Sequence, residues 1–259
     1  MTWLALAECR LGSRDAADEM RGLLDRDERE HCAASPSPDR LLGRVASKRA
    51  VCRALGQAGI EATPRTVAIR RAPSGRPVVL VDGVVRDPVL GCLASRLPLV
   101  IVSISHVSGA GVALAQAWPT STRPLPCVGI DVVGKAWVGR HRPRGESDLL
   151  ARRVLTPGEL RAAAWATPIG LGYAVAAKEA VGKALRWSTG PLSWHGVEIT
   201  GGNDGRAEGA DRLVDVFAAQ GWVESRRARW VTTRRSAAAS GVVLFADLGE
   251  FLVAAVAGR

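Results

Sequence analysis

A proline- and threonine-rich segment near the middle of the chain, PTSTRPLP at residues 119–126, constrains the fold more than any other feature. Its prolines are incompatible with the interior of a helix or of a sheet. The segment therefore predicts a linker between an N-terminal half, residues 1–118, and a C-terminal half, residues 127–259. The chain has 259 residues, so each half is long enough to bury a core of its own.

The N-terminal half combines helical and strand patterns. Between Arg40 and Leu55 the apolar residues recur at helical spacing, and Asp39 precedes them as a candidate cap. Residues 15–32 are polar with a weak apolar stripe, which is typical of an exposed helix. Short apolar and β-branched runs predict four strands, at Thr66–Ile69, Val78–Val81, Leu99–Ile104 and Gly111–Ala117.

The C-terminal half has a comparable layout. Residues 147–166 predict two helical pieces that break at Thr156-Pro157. Thr167-Pro168 predict the N-cap and first turn of a longer helix that runs to about Trp187. Further strands are predicted at Cys127–Val133, Val197–Thr200 and Leu213–Phe217, with a final hairpin from Val242 to Val256. The sequence therefore predicts an α+β fold of two similar halves, although the internal repeat is weak by sequence alone.

The chain is strongly basic, with a formal net charge of +10 and a pI of about 10.4. Such a charge favours a polyanionic partner, which leaves nucleic acid, an acidic protein and a phosphate-rich small molecule as candidates. The basic residues are spread along the chain, which disfavours a nucleic-acid-binding protein. Salt-dependent DNA binding would favour that alternative again.

Cysteine spacing and hydropathy bear on the compartment. The five cysteines are scattered and form no C-x-x-C pair, which argues against a disulfide framework or a zinc site. The N-terminal apolar run is too short for a secretion signal, and no apolar stretch is long enough to span a bilayer. We therefore expect a cytoplasmic protein with no membrane partner.

Two short segments carry the strongest chemical signal: VGIDV at residues 128–132 and AKEAVGKA at residues 177–184. Taken singly, their charged residues have ordinary interpretations, since Asp131 can cap a strand end and Glu179 can pair with Lys183 on a helix surface. Together they are unusual, because isolated charges on an otherwise apolar helix usually face a site or a partner. The pattern therefore favours a site formed by these two segments.

In order and type, these segments resemble the signature of the 4′-phosphopantetheinyl transferase family. G-I-D precedes K-E-A-x-x-K, and three other segments agree: S-I-S-H with a following glycine at residues 103–109, G-R-P at residues 75–77, and a helix with basic residues at 41–48. The resemblance spans roughly residues 38–190 and fits the longer, single-chain subgroup. It implies an α+β fold whose two similar halves form a pseudo-dimer.

The resemblance also implies an activity, the transfer of the 4′-phosphopantetheine arm of coenzyme A to a serine of a carrier protein, with release of 3′,5′-ADP. Asp131 and Glu179 would bind Mg²⁺, Glu179 would act as the base, and Lys183 would contact the phosphates. Coenzyme A contacts would come from Lys48, Arg76, Pro77, Ser105, His106 and Lys178. The expected partners are coenzyme A and an acidic acyl or peptidyl carrier protein, bound by a monomer without nucleic acid.

The sequence departs from the family pattern at two positions. Val133 stands where many relatives carry a second carboxylate, and Tyr173 is displaced from the aromatic position ahead of K-E. Val133 leaves two alternatives open: an enzyme whose metal shell holds an extra water, or a degenerate relative that binds coenzyme A without transfer. The basic stretch Lys135 to Gly145 is either a carrier-binding loop or a solvated loop.

Overall fold

The computed structural model describes residues 3–10, 20–34, 37–87, 98–119, 127–140, 146–162, 165, 167–185, 194–201, 210–222, 224–232 and 239–258. Helix and strand occur in comparable shares, which confirms the predicted α+β class. The chain divides into two compact units, Met1–Leu125 and Pro126–Arg259. Residues 120–126 of the predicted linker lie outside the described residues. None of the described helices is long and apolar enough to cross a membrane.

The first unit contains a three-stranded antiparallel sheet in which β1 (Trp3–Arg10), β6 (Ala110–Trp118) and β5 (Leu99–Val107) are neighbours in that order. A second sheet joins β2 (Val67–Arg71), β3 (Pro77–Val81) and β4 (Val84–Val85). All four strands predicted from the sequence of this half are present. Strand β1 was not predicted, because its alanines, leucines and glutamate favour helices until pairing with β6 overrides that preference.

Two helices accompany these sheets, α1 (Arg26–Ala33) and α2 (Asp39–Gln57). The predicted helix over residues 15–32 is interrupted at residues 23–25, between helical residues 20–22 and α1, and residues 11–19 lie outside the described residues. Helix α2 packs so closely on β6 that a Cβ at Gly111 would lie 2.3 Å from the carbonyl carbon of Leu42. Glycine at this position therefore sets the distance between helix and sheet.

The predicted capping role of Asp39 is wrong. The N-cap position is Pro38, and no side chain caps α2. The carboxylate of Asp39 instead accepts the backbone N–H of Gly109 at 3.1 Å and the hydroxyl of Ser37 at 2.6 Å. Asp39 therefore ties the start of α2 to the β5–β6 turn, where Gly109 has the positive φ of 82° that favours glycine.

The second unit contains a five-stranded antiparallel sheet with the order β7–β11–β10–β9–β8. The strands are β7 (Cys127–Gly134), β8 (Val197–Gly201), β9 (Glu224–Thr232), β10 (Ser240–Asp247) and β11 (Phe251–Gly258). The predicted strand that carries Asp131 and the predicted terminal hairpin are both confirmed. Strand β9 was not predicted, because its arginines hide the alternation that buries Ala228 and Trp230.

The helices of this unit are α3 (Lys135–Arg140), α4 (Glu146–Val154), α5 (Pro157–Arg161), α6 (Pro168–Ala184) and α7 (Ala210–Ala219). Thr167 caps α6 by accepting the Gly170 N–H at 3.0 Å, as predicted. The strand predicted at Leu213–Phe217 is wrong, because this segment lies in α7. The loop predicted after Asp131 begins as helix α3, and residues 141–145 and 186–193 lie outside the described residues.

Helix α6 packs directly on β7, the edge strand of this sheet. A Cβ placed on Gly129 of β7 would lie 1.8 Å from the carbonyl oxygen of Ala180 in α6. Only glycine is compatible with this separation. The glycine of the G-I-D segment therefore brings the strand that carries Asp131 against the helix that carries Glu179 and Lys183.

Candidate active site

The three predicted catalytic residues, Asp131, Glu179 and Lys183, lie where β7 faces α6. The ammonium group of Lys183 donates to Oδ1 of Asp131 at 2.6 Å and to the carbonyl oxygen of Ile130 at 3.2 Å. Both charged side chains are partly exposed, 27% for Lys183 and 12% for Asp131. Glu179 lies one helical turn before Lys183, so it shares the same face of α6. The cluster is therefore open to solvent on one side and supported by the sheet on the other.

Glu179 receives a hydrogen bond from a residue that the sequence did not single out. The indole N–H of Trp194 donates to Oε1 of Glu179 at 2.7 Å. Burial raises the pKa of the Glu179 carboxyl, and the charge of Asp131 raises it further, while the Trp194 hydrogen bond and Lys183 oppose the rise. A carboxylate with a raised pKa is a stronger base, which suits proton abstraction.

The negative charge of Asp131 is one of the causes that raise the pKa of the Glu179 carboxyl, the effect expected of repulsion between two carboxylates. A cation placed between them would relieve this repulsion. Two carboxylates are a hard-oxygen donor set of the kind that holds Mg²⁺ when phosphates and waters complete the shell. Within the described part of the chain, no group of three or more His, Cys, Asp or Glu side chains could bind a metal. Mg²⁺ binding by the carboxylates of Asp131 and Glu179 alone stays a prediction.

Val133 does not belong to this cluster. Its side chain is 8% exposed and lies in the hydrophobic core of the second unit, with Val138 and Leu252 among the other core residues. A valine at this position contributes to the core, as expected for a buried β-branched residue.

Lys178, predicted to contact coenzyme A, is buried beneath the cluster. Its ammonium group donates to Oε2 of Glu159 at 2.6 Å and to the carbonyl oxygens of Trp194 and Val197 at 2.9 Å each. These three bonds use all three donors of the ammonium group. The side chain is 0% exposed, so Lys178 supports the fold around Glu179 in this structure.

Lys48, also predicted to contact coenzyme A, has the same kind of environment in the first unit. Its ammonium group lies 2.6 Å from Oε2 of Glu28 and donates to the carbonyl oxygens of Leu23 and Pro64 at 2.9 Å each. Its side chain is 1% exposed. Like Lys178, Lys48 is buried and has three protein partners, so in this structure it stabilises the fold of its unit.

The two buried Lys–Glu pairs share further details. Each glutamate is the third residue of a short helix and completes a capping box, with Asp25 for Glu28 and with Thr156 for Glu159. Each glutamate also accepts a backbone N–H from the third residue of a strand, Ile69 at 2.8 Å and Ile199 at 2.6 Å. Both units therefore contain the same hydrogen-bonded frame.

The frame extends to the cation five residues after each buried lysine. Arg53 donates to the carbonyl oxygen of Leu6 at 2.7 Å, as Lys183 donates to that of Ile130. The positions that correspond to Asp131 and Glu179 are then Ala7 and Arg49. The paired carboxylates therefore occur only in the second of the two equivalent frames. The frame itself does not require them, because the first unit has the same frame with Ala7 and Arg49 at these positions.

Arg76 and Pro77 lie in the first unit at the start of β3. The guanidinium of Arg76 pairs through Nη1 and Nη2 with both oxygens of Asp87, the second contact at 2.9 Å. Asp87 is 1% exposed and Arg76 is 18% exposed, so the buried acid holds an arginine that remains partly accessible. Gly75 before it has a φ of 84°, as the predicted G-R-P turn requires.

Ser105 and His106 lie on β5 of the first unit, next to the start of α2. Ser105 is buried and His106 is exposed. The imidazole lies close to α2, because a Cβ on Gly43 would come within 3.3 Å of its Cδ2. The described contacts place these two residues in the first unit and the carboxylate cluster in the second.

Arg44, in the predicted helix with basic residues at 41–48, has basic neighbours in the first unit that the sequence did not single out. Burial lowers the pKa of His31, and the charges of Arg44, Arg40 and Arg71 lower it further. The Arg71 guanidinium also lies 3.3 Å from the Cβ position of Gly75, which links this basic cluster to the G-R-P turn. The spacing of Arg40 and Arg44, four residues apart in α2, was the available signal. Such a group of cations suits a phosphate ligand.

No family model matches the chain, and no curated protein matches it. Among solved structures, the chain is similar to a holo-acyl-carrier-protein synthase (AcpS) from Neisseria meningitidis. The likeness covers 51% of this chain and 97% of that chain, at 24% sequence identity and a TM-score of 0.32. A TM-score this low assigns the chain neither a fold nor an activity.

Proposed function

We propose that this protein is a 4′-phosphopantetheinyl transferase that moves the phosphopantetheine arm of coenzyme A to a serine of a carrier protein. The observation that carries the proposal is the cluster of Asp131, Lys183 and Glu179. These residues belong to the G-I-D and K-E-A-x-x-K segments, which are separate in sequence and are packed together through Gly129. The basic chain suits a substrate with three phosphate groups.

In the proposed reaction, the serine oxygen forms a bond to the β-phosphorus of coenzyme A as the bond from that phosphorus to the leaving oxygen breaks. The leaving group is 3′,5′-ADP, which keeps the bonding electron pair. Glu179 takes the proton of the serine hydroxyl, directly or through a water, and its raised pKa favours this role. Lys183 offsets charge that develops on the phosphate oxygens.

Asp131 and Glu179 would hold Mg²⁺, which would supply charge neutralisation for the pyrophosphate. Lys183 already neutralises part of the charge of Asp131 at 2.6 Å. The ammonium group would therefore shift toward the phosphates when the cation is bound. Val133 supplies no ligand, so water and phosphate oxygens would complete the shell.

The first unit would contribute contacts to the adenosine and 3′-phosphate end of coenzyme A. Arg76, Pro77, Ser105 and His106 remain candidates, and the basic cluster of His31, Arg40, Arg44 and Arg71 extends the set. Lys48 and Lys178 are not retained as ligands in this proposal, because both are buried with three protein partners each.

The two units would be related as the halves of a pseudo-dimer within a single chain, and the protein would act as a cytoplasmic monomer. The repeated Lys–Glu frame supports the first part of this proposal. The acceptor would be an acidic acyl or peptidyl carrier protein of fatty-acid, polyketide or nonribosomal-peptide synthesis, attracted by the net charge of +10.

The test is intact mass spectrometry of apo carrier proteins incubated with this protein, coenzyme A and Mg²⁺. The proposal predicts a mass gain of one phosphopantetheine that requires Mg²⁺ and disappears when the acceptor serine of the carrier is replaced by alanine. No gain on several types of carrier, with coenzyme A still bound in calorimetry, would favour a degenerate relative that binds coenzyme A without transfer.

A further inference from the structure

Trp194 connects the buried Lys–Glu frame of the second unit to the carboxylate cluster. Its indole N–H donates to Oε1 of Glu179 at 2.7 Å, while its backbone carbonyl accepts from Lys178 at 2.9 Å. We infer that Trp194 is a positioning residue that fixes the rotation of the Glu179 carboxylate, so that Oε2 is the oxygen that acts on the serine hydroxyl. This inference rests on the proposed function and adds a residue outside both motifs.

The backbone that carries the indole is held at several points. Lys178 binds the carbonyl oxygens of Trp194 and Val197, both at 2.9 Å, and is itself paired with Glu159 at 2.6 Å. The second oxygen of Glu159 accepts the Ile199 N–H at 2.6 Å. The segment that presents the indole is therefore fixed to α5 and α6 by buried, charge-assisted hydrogen bonds.

This arrangement gives the adjacent Lys178 and Glu179 complementary roles. Lys178 sets the backbone position of Trp194, and Glu179 accepts the indole N–H of the same residue. The terminal torsion of a glutamate side chain otherwise takes a broad range of angles. A fixed hydrogen-bond donor on one carboxylate oxygen therefore also restricts the position of the other oxygen. Holding a catalytic group in its productive orientation lowers the barrier of a transfer reaction.

The experiment compares Trp194→Phe with Trp230→Phe. Trp230 is a suitable control because it lies in the core of the same unit, and its indole nitrogen is buried without a hydrogen-bond partner in the described structure. Both variants lose the same part of the ring, and only Trp194→Phe loses a bond to Glu179. Carrier modification is followed at varied coenzyme A concentration, and thermal unfolding of both variants is recorded.

We expect Trp194→Phe to lower kcat by roughly 10- to 100-fold with an unchanged KM for coenzyme A. We expect Trp230→Phe to keep kcat even if it unfolds at a lower temperature. In a Glu179→Gln background, Trp194→Phe should cause no further loss, because the carboxylate that it positions is already gone. A wild-type kcat for Trp194→Phe would overturn the inference.

A second measurement needs no activity. In an NMR spectrum, the indole N–H signal of Trp194 is identified as the one that is lost in Trp194→Phe. This signal should shift when Glu179 is replaced by alanine, whereas the indole signal of Trp230 should not. A Trp194 signal that stays in place would overturn the inference whatever the kinetics show. If the signal shifts but the wild-type protein transfers nothing, the hydrogen bond is upheld, and both the proposed function and the positioning role fail.

Discussion

The ammonium nitrogen of Lys183 lies 2.6 Å from Oδ1 of Asp131 and joins the helix of one sequence motif to the strand of the other. Both side chains are only partly exposed to solvent, so screening by water weakens this ion pair without removing it. Its effect is local, because it keeps the ammonium group of Lys183 beside the carboxylates of Asp131 and Glu179.

The contact between α6 and β7 depends on Gly129. In Gly129→Ala the new methyl group would meet the Ala180 carbonyl oxygen at 1.8 Å, so helix and strand must separate. We expect a loss of about 3 kcal/mol in the free energy of unfolding, together with loss of carrier modification. Chemical denaturation and the mass assay measure the two effects.

Gly139→Ala is the matched control for this prediction. Gly139 lies in α3 of the same unit, and a Cβ there meets nothing within 4 Å. Alanine at an open helical position should raise stability by about 0.5–1 kcal/mol and leave activity unchanged. Equal stability of the two variants would contradict the packing role assigned to Gly129.

The buried pair of Lys178 and Glu159 should be needed for folding. Glu159→Gln leaves the Lys178 ammonium without its counter-charge in a site that is 0% exposed. We expect a loss of about 3–5 kcal/mol in the free energy of unfolding, measured by denaturant titration. Glu28→Gln should cause a similar loss, because Lys48 has equivalent partners in the first unit.

An exposed pair is the control for that experiment. Arg26 and Glu30 form an ion pair on α1 with exposures of 85% and 65%. Replacing Arg26 by alanine should change the unfolding free energy by less than about 0.5 kcal/mol. If Glu159→Gln proved as mild as Arg26→Ala, the structural assignment of Lys178 would be wrong, and its predicted contact with coenzyme A would return.

The charged carboxylate of Glu179 should lower the free energy of unfolding at neutral pH. Burial raises its pKa above the ordinary 4.5, so between 4.5 and the folded pKa the folded state holds a proton that the unfolded chain has released. The free energy of unfolding contributed by Glu179 therefore falls as pH rises through that window. Without metal or coenzyme A, Glu179→Gln should unfold at a higher temperature than the wild type at pH 7.

The difference between Glu179→Gln and the wild type should vanish below pH 4.5, where Glu179 is protonated in both states. Thermal unfolding in a chelating buffer across this pH range tests the sign. A wild type that is more stable than Glu179→Gln at pH 7 would show that the charged carboxylate is stabilised by its neighbours, opposite to the raised pKa.

The basic cluster of the first unit should bind phosphate groups of coenzyme A. Replacing both Arg40 and Arg71 by alanine should weaken coenzyme A binding by about tenfold or more, since charge-assisted contacts to phosphate are strong. Arg65→Ala, which removes an exposed arginine of the same unit, is the control. Calorimetry with coenzyme A and with 3′-dephospho-coenzyme A measures both variants, and equal affinities for the double variant and the control would refute this role.

Much of the fold could be predicted because its signals are local. The Thr167-Pro168 pair marked the start of α6, and β-branched runs marked the strands at Leu99–Val107 and Cys127–Gly134. The prediction failed for short apolar runs in which neither the helical nor the strand spacing was clear. Leu213, Val216 and Phe217 are the buried residues of an amphipathic helix, whose spacing was hidden in the strand-like run LVDVF.

The site was only partly predictable, because contacts between distant segments decide the role of each charge. The two motif lysines, Lys178 and Lys183, look alike in the sequence. Lys183 is partly exposed, whereas Lys178 is buried and pairs with Glu159, nineteen residues earlier. The capping-box pattern T-x-x-E at Thr156 and Glu159 was the available clue to that partner. Trp194 gave no signal, because its indole meets Glu179 only through the fold.

The most direct test of the account is carrier modification by Glu179→Gln, measured by intact mass beside coenzyme A binding by calorimetry. Glu250→Gln, which alters an exposed glutamate of the same unit, is the control. The account predicts that the wild type and Glu250→Gln add one phosphopantetheine, whereas Glu179→Gln loses about 10²-fold or more in rate and still binds coenzyme A. Full transfer by Glu179→Gln, or a wild type that modifies no carrier, would contradict it.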